Sequence, residues 1–363
     1  MPRLTLADVG TSAAAAIGVP GFRDTLLVGP CEQVVVCLID GLGWNLLAGH
    51  RQHAPNLTAL SGGTVDAAFP TTTPVGLGAF GTGLLPGAHG LVGASFFLPE
   101  TGAILSPLHW GDDPLPVVIQ PEPTVFEQVA RSGARMTTVS PEAYRDSGLT
   151  RAVLRGADYR GAEAIEDRLD QVSSVLSVGG PSFTYVYWFE LDRIGHEFGV
   201  DSDQWRDALG RADALVGRLV DALPVGATLV VTADHGMVDC PPGERIQIEE
   251  DAALMLGVER VAGEPRARHV YCVEGAAPDV AAAWREVLGE RAQVLTRADI
   301  VDGGLMGHVD PSLVERIGDV MAVSRGAAML ASKVDTTVSR LLGQHGALTA
   351  DEVLIPALVH RRA

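Results

Sequence analysis

The sequence contains little cysteine and almost no lysine. Four of its 363 residues are cysteine, and Lys333 is the only lysine. No two cysteines form a Cys-x-x-Cys pair, and so few in a chain of this length exclude a disulfide-stabilised scaffold. We therefore expect free thiols in a reducing compartment, and we attribute the lysine shortage to genome composition.

Long apolar runs are also missing. No stretch approaches the ~20 consecutive apolar residues of a membrane-spanning helix. The apolar run at residues 13–17 is too short for a signal peptide, and Asp8 precedes it. We expect a soluble, cytoplasmic protein that does not bind a membrane.

Positive charge is scarce as well. The chain has 27 basic and 45 acidic residues, a formal net charge of −18. Such a chain repels the phosphates of nucleic acids, so no nucleic-acid polymer is expected as a partner. The positions of individual carboxylates decide whether some of them hold cations instead.

Short apolar runs alternate with segments of helical spacing. Strands are predicted at residues 33–39, 136–139, 183–189 and 228–232, and helices at residues 42–60, 125–130, 165–178 and 205–223. This alternation predicts an α/β fold with a doubly wound, mostly parallel sheet flanked by helices.

The pattern changes after Pro241-Pro242-Gly243. Residues 241–330 combine short strands with one helical segment, which predicts a small inserted α+β subdomain. Residues 1–240 and 331–363 would then form the catalytic core. Residues 94–123, rich in proline and glycine, are predicted to form an irregular surface excursion.

Six potential metal ligands follow strand-like runs or lie near the C-terminus. They are three aspartates and three histidines: Asp40, Asp192, His196, Asp234, His235 and His345. Each alone has an ordinary structural reading as a turn, a helix-surface pair or a loop histidine. In a parallel sheet, however, strand ends meet at one edge. Together the six suit two divalent ions, zinc or manganese, placed to bind a transferring phosphoryl group.

Thr73 is the candidate nucleophile. Pro74 suits the first position of a helix, which would make Thr73 its N-cap. The N-terminus of a helix favours an anion such as phosphate, and an adjacent metal would activate the hydroxyl. The alternative is that residues 71–73 merely cap the helix.

In chain order these segments resemble the alkaline phosphatase superfamily, and within it the nucleotide pyrophosphatase/phosphodiesterase branch. The likeness rests on Asp40 after the first strand and on four further motifs. These are F-P-T-x-T with T-G-L-x-P-x-x-H-G at residues 69–73 and 82–90, D-x-x-x-H at 192–196, D-H-G-M at 234–237 and G-x-H-G at 343–346.

The resemblance implies a role for each matching residue. Thr73 would form a covalent intermediate and also bind a metal. One metal would be held by Asp192, His196 and His345, and the other by Asp40, Asp234 and His235. Two positions depart from the family pattern, because Gly76 stands where an asparagine usually binds a phosphoryl oxygen and Thr72 replaces a common lysine.

The resemblance favours a metal-dependent phosphodiesterase or nucleotide pyrophosphatase acting on a small phosphate ester or nucleotide. Gly76 and the aromatic residues Phe96, Phe97 and Trp110 are the predicted substrate contacts. A phosphomonoesterase, phosphonate hydrolase or phosphomutase on the same dinuclear core is the alternative, and a purely structural role for the metals is a third hypothesis. Oligomeric state is left open.

Overall fold

A computed structural model describes residues 3–362. Its α-helices, in chain order, are α1 (Leu6–Ala16), α2 (Trp44–Gly49), α3 (Pro55–Ala59), α4 (Thr73–Thr82), α5 (Pro86–His89), α6 (Pro116–Ile119), α7 (Val125–Arg131), α8 (Gly148–Val153), α9 (Ile165–Leu176), α10 (Glu190–Phe198), α11 (Asp203–Ala222), α12 (Ala252–Met255), α13 (Ala277–Leu288), α14 (Arg297–Asp302) and α15 (Ala350–Val353).

The strands belong to one large sheet, one smaller sheet and three short pairs. They are β1 (Gln33–Ile39), β2 (Ser61–Asp66), β3 (Phe96–Leu98), β4 (Ala103–Leu105), β5 (Arg135–Ser140), β6 (Asp158–Gly161), β7 (Ser182–Trp188), β8 (Thr228–Thr232), β9 (Val238–Asp239), β10 (Arg245–Gln247), β11 (Val258–Glu264), β12 (Ala267–Cys272), β13 (Ala292–Thr296), β14 (Val320–Ser324), β15 (Met329–Ala331), β16 (Gly343–Gln344) and β17 (Leu354–Arg361).

The large sheet confirms the predicted α/β class. Its seven strands lie in the order β2-β17-β8-β1-β7-β5-β6. Strand β1 pairs in parallel with β7 and β8, whereas β17 runs antiparallel to both of its neighbours, β2 and β8. Every residue of β1, β7 and β8 is buried, as expected for central strands covered by helices on both faces.

This strand order determines where the polar side chains meet. Strands β8, β1 and β7 are adjacent and parallel, so their carboxyl ends share one edge of the sheet. Asp40 follows β1, α10 follows β7, and Asp234 follows β8. The candidate ligands therefore lie at the edge where doubly wound sheets place their sites.

A second sheet lies within residues 241–330. It is antiparallel, in the order β11-β12-β14-β13, and has a separate apolar core that includes Trp284 and Leu254. Strands β10 and β15 form a separate parallel pair, and β9 and β16 form an antiparallel pair. The boundaries of the inserted subdomain, 241 and 330, stay a prediction.

The predicted helix over residues 42–60 is wrong in one respect. The segment forms two helices, α2 and α3, separated by a single 3-10 turn. Pro55 begins α3 because a proline suits the first turn of a helix but cannot continue one. All four cysteines are free, and among residues 3–362 no helix is both long and apolar enough to span a membrane.

Candidate active site

The six candidate ligands form two groups of three. One group contains Asp40, Asp234 and His235, and the other contains Asp192, His196 and His345. Within each group the potential ligand atoms all lie within 4.8 Å of one another. The two groups adjoin, because the rings of His235 and His345 stack with their centroids 3.6 Å apart.

The three histidines share one hydrogen-bonding arrangement. Each places Nδ1 against a backbone carbonyl: His196 on Gly343 at 2.7 Å, His345 on Thr71 at 2.8 Å, and His235 on Gly236 at 3.0 Å. A carbonyl only accepts, so Nδ1 carries the proton and a neutral ring presents the lone pair of Nε2. Metal-binding histidines are oriented in this way.

Two of these Nε2 atoms lie close together. Those of His196 and His345 are 3.2 Å apart, and a ring that is neutral with its proton on Nδ1 has none on Nε2 to donate. Burial lowers the pKa of His345 well below its usual value, and repulsion from His235 and His196 lowers it further. The pair is therefore arranged as two acceptors around a position that suits a cation.

The three aspartates of these groups also have polar atoms that lack a hydrogen-bond partner. Asp40 Oδ1, Asp192 Oδ1 and Asp234 Oδ2 are buried and have no hydrogen-bond partner among the described residues. Burial raises the pKa of Asp40 well above its usual value, and the charges of Asp234 and Asp192 raise it further. Buried oxygens of this kind need a compensating partner, and two divalent cations would supply it.

Two of the remaining carboxylate oxygens accept hydrogen bonds from the protein. Tyr187 donates its hydroxyl proton to Asp40 Oδ2. The backbone N–H groups of Gly41 and His235 donate to Asp234 Oδ1 at 3.3 and 3.1 Å. The sequence analysis missed Tyr187 because it lies within a fully buried strand, β7. The residue pattern of such a strand does not distinguish a tyrosine with a polar role from one in the core.

Thr73 lies beside the first group. Its side chain is buried, and Oγ1 is 3.2 Å from His235 Nε2. The prediction that Thr73 is an N-cap is wrong by one residue. Thr72 has the extended cap conformation, so Thr73 and Pro74 are the first two residues of α4. The nucleophile candidate thus lies within the first turn of the helix.

Gly76 does not act through a side chain, and its backbone is already engaged. The N–H groups of Val75 and Gly76 both donate to the Thr72 carbonyl, at 3.0 and 2.9 Å. A Cβ atom on Gly76 would lie 2.7 Å from Cβ of Asp234. The prediction that Gly76 contacts substrate is therefore not supported, and its lack of a side chain lets α4 pack directly on Asp234.

Two of the three predicted aromatic contacts lie inside the core, and the third packs against the second sheet. Phe96 is fully buried, and Trp110 is 5% exposed, with its indole N–H bonded to the carbonyl of Pro114. Phe97 lies under the guanidinium of Arg260, from the second sheet. Phe96 and Trp110 thus have almost no surface for a substrate, which corrects their predicted role.

Another aromatic cluster does lie next to the ligands. The Tyr144 ring is 6.2 Å from that of Tyr187 and 6.1 Å from that of Phe189. Tyr144 is 38% exposed. Partial burial is the main cause that raises its pKa, and the negative charge of Asp40 raises it further. No sequence pattern indicates a role for Tyr144, because its position depends on the turn that follows β5.

Comparison with known proteins indicates the family of this chain. The model of the family "Type I phosphodiesterase / nucleotide pyrophosphatase" matches residues 34–348. Among curated proteins, the human bis(5'-adenosyl)-triphosphatase ENPP4 is 24% identical over 181 residues, which are 46% of this chain and 38% of that protein. The matched region thus spans less than half of this relative.

Solved structures resemble the fold over most of its length. Murine ectonucleotide pyrophosphatase/phosphodiesterase 5, as an inactive variant in complex with AMP, superposes with a TM-score of 0.72 at 20% identity, covering 92% of this chain and 88% of that one. Phosphonoacetate hydrolase from Sinorhizobium meliloti 1021 gives 0.70 at 18% identity, covering 92% and 91%. At these identities the likeness shows a shared fold.

Proposed function

The chain belongs to the type I phosphodiesterase/nucleotide pyrophosphatase family, and from this membership we propose a metal-dependent hydrolase of phosphodiester or nucleotide pyrophosphate bonds. The observation that carries the proposal is the placement of Thr73 Oγ1, 3.2 Å from His235 Nε2. It puts a hydroxyl beside one of the two groups of candidate metal-binding side chains.

Each group would hold one divalent ion, zinc or alternatively manganese. Asp40, Asp234 and His235 would bind one ion beside Thr73, and Asp192, His196 and His345 would bind the other. The bound ions would offset the charge of the phosphate and make the Thr73 hydroxyl more acidic. Mixed imidazole and carboxylate ligands suit zinc, and they also accept manganese.

The Thr73 hydroxyl would act as the nucleophile in two successive displacements. Its oxygen forms a bond to phosphorus while the bond from phosphorus to the leaving oxygen breaks. Water then cleaves the ester between Thr73 and phosphorus, which restores the hydroxyl. The net reaction adds one water across the phosphorus–oxygen bond and releases an alcohol or nucleotide together with a phosphomonoester.

Substrate recognition would involve the aromatic cluster rather than residues 94–123. Tyr144 is partly exposed next to Phe189 and close to the carboxylates, so its ring can contact a flat leaving group such as a nucleobase. The AMP complex of the murine relative supports a nucleotide as the substrate class.

The direct test is hydrolysis of bis(4-nitrophenyl) phosphate compared with 4-nitrophenyl phosphate, with zinc or manganese present. We expect faster release of nitrophenol from the diester. Exhaustive chelation should abolish this activity, and added metal should restore it. Full activity after chelation would contradict the metal-dependent mechanism, and activity on the monoester alone would contradict a diesterase.

A phosphomonoesterase or phosphonate hydrolase is the second candidate. The observation that favours it is Gly76, which removes the amide that the phosphodiesterase branch uses to bind a phosphoryl oxygen. A phosphomutase is less well supported, because no lysine or arginine lies near Thr73 in the sequence. The same pair of nitrophenyl esters, with a phosphonate as a third substrate, separates these activities.

A further inference from the structure

A fully buried ion pair joins the second-sheet segment to the C-terminal part of the core. Arg266, just before β12, donates from Nε and Nη2 to the two carboxylate oxygens of Glu352 in α15, both at 2.8 Å. Both side chains are 0% exposed. A bidentate pair fixes the orientation of both groups, and losing one partner leaves a buried charge uncompensated.

The same Glu352 carboxylate also holds the loop that carries His345. Its Oε1 accepts the backbone N–H of Ala347 at 2.9 Å, and its Oε2 accepts the Thr349 hydroxyl at 2.6 Å. Ala347 lies two residues after His345, and its carbonyl accepts the hydroxyl of Thr71 at 2.9 Å. The conformation of this loop therefore depends on a carboxylate that Arg266 holds.

The backbone beside that carboxylate supports the other group of ligands. The N–H of Gly236 donates to the carbonyl of Glu352 at 2.9 Å. Gly236 packs so closely that a Cβ atom there would lie 1.9 Å from the carbonyl oxygen of Asp351. The turn that follows Asp234 and His235 is thus held against Asp351 and Glu352.

All six candidate ligands come from outside residues 241–330, whereas Arg266 lies inside that segment. Building on the function proposed above, we propose that Arg266 and Glu352 form a positioning pair that sets the spacing of the two metal-binding groups. The second-sheet segment would then serve metal binding through Arg266 without supplying a ligand.

The chain offers a matched control. Arg268 lies two residues further along, is equally buried, and forms a bidentate pair with Asp335 at 2.6 and 2.9 Å. Within the described part of the chain, the side chains of Arg268 and Asp335 make no hydrogen bond to the loops that carry the candidate ligands. Loss of this second pair should destabilise the fold in a similar way without acting on the spacing of the two groups.

The experiment compares the intact wild-type chain with Arg266→Met and Arg268→Met. Each is stripped of metal and titrated with zinc against a chromophoric chelator, and the thermal midpoint of the metal-free form is measured. We expect Arg266→Met to bind zinc about tenfold more weakly, in the range seen when groups supporting a ligand are lost. Its hydrolysis of bis(4-nitrophenyl) phosphate should recover in part as zinc is raised.

Arg268→Met should keep the wild-type zinc affinity even though its thermal midpoint falls. Wild-type affinity in a folded Arg266→Met, or an equal loss in Arg268→Met, would overturn the positioning role. If Arg266→Met fails to fold, Thr349→Val removes one hydrogen bond to Glu352 and should weaken zinc binding by about fivefold. Unchanged affinity in that variant would likewise overturn the role.

Failure of the proposed function is distinguishable from failure of this inference. A wild-type chain that binds no divalent metal and cleaves no phosphate ester would refute both. A wild-type chain that binds zinc and cleaves the diester, together with an Arg266→Met variant that does so equally well, would refute the positioning pair alone.

Discussion

Gly76 stands where the family usually has an asparagine, and its lack of a side chain changes how α4 packs at the candidate site. The first turn of α4 packs directly on Asp234, with no room for a Cβ atom between them. A family asparagine at this position would displace a candidate metal ligand. The glycine is therefore explained by close packing, and it is compatible with Thr73 lying three residues earlier in the same turn.

Gly76→Ala should weaken both the fold and the metal site. Overpacking of this kind costs about 1–3 kcal/mol, and here the atom that must move belongs to Asp234. We expect a lower thermal midpoint and weaker zinc binding, measured by calorimetry and by chelator competition. Gly210→Ala is the control, since Gly210 lies within α11 and its nearest contact would be an ordinary 3.9 Å. Equal effects of the two substitutions would contradict this explanation.

Strand β11 contributes a buried acid at the junction of the two sheets. Glu264 accepts the N–H of Ala94 at 2.9 Å and packs against Gly346, and its Oε1 has no partner among residues 3–362. Burial raises the pKa of Glu264 to about 8. The negative charges of Asp335 and Glu352 add to this rise, whereas the hydrogen bond from Ala94 and the charge of Arg268 oppose it. The side chain is therefore neutral in the folded protein at pH 7.

This raised pKa makes stability depend on pH. Between the ordinary value of 4.5 and about 8, the unfolded chain releases the Glu264 proton while the folded chain keeps it. The free energy of unfolding should therefore fall as pH rises through this window, by about 3 kcal/mol at pH 7. Urea denaturation of wild type and Glu264→Gln between pH 5 and 8.5 measures the difference.

The Glu264→Gln variant should gain stability relative to wild type as pH rises, because its amide does not ionise. Glu290→Gln serves as the control, since the Glu290 side chain is fully exposed and pairs only loosely with Arg325. A difference between wild type and Glu264→Gln that stays constant over the whole pH range would show that Glu264 does not ionise as described.

The folded chain as a whole concentrates negative charge at one edge of its large sheet. Asp40, Asp192 and Asp234 lie there together, in a protein whose formal net charge is −18. Without cations, these carboxylates oppose folding, since one oxygen of each is buried without a partner among the described residues. Metal binding should consequently raise the free energy of unfolding of the whole molecule.

Zinc should raise the thermal midpoint of the wild-type protein. Each ion adds about 2.7 kcal/mol when its free concentration is 100 times its dissociation constant. Asp40→Asn should unfold at a higher temperature than wild type when both are free of metal, because one buried charge is gone. The same variant should lose part of the shift that zinc produces. A midpoint that does not respond to zinc, measured by calorimetry, would contradict this linkage.

Much of this arrangement could be predicted from the sequence, because local patterns encode it. The valine-rich run before Asp40 and the alternation of strands and helices predict the large sheet, and strand ends predict where the ligands gather. Features that depend on tertiary packing escaped prediction. Phe96 and Trp110 proved to be core residues, and Tyr144 and Tyr187 approach the ligands only in the folded chain.

The role of Thr73 is the central claim, and one comparison tests it most directly. Wild type, Thr73→Ser and Thr73→Ala are loaded with zinc, and bound metal and kcat/KM for bis(4-nitrophenyl) phosphate are measured on the same samples. With zinc content unchanged, Thr73→Ala should lose about a thousandfold or more of kcat/KM, while Thr73→Ser, which keeps a hydroxyl, should retain measurable turnover. A zinc-loaded Thr73→Ala protein as active as wild type would show that Thr73 is not the nucleophile.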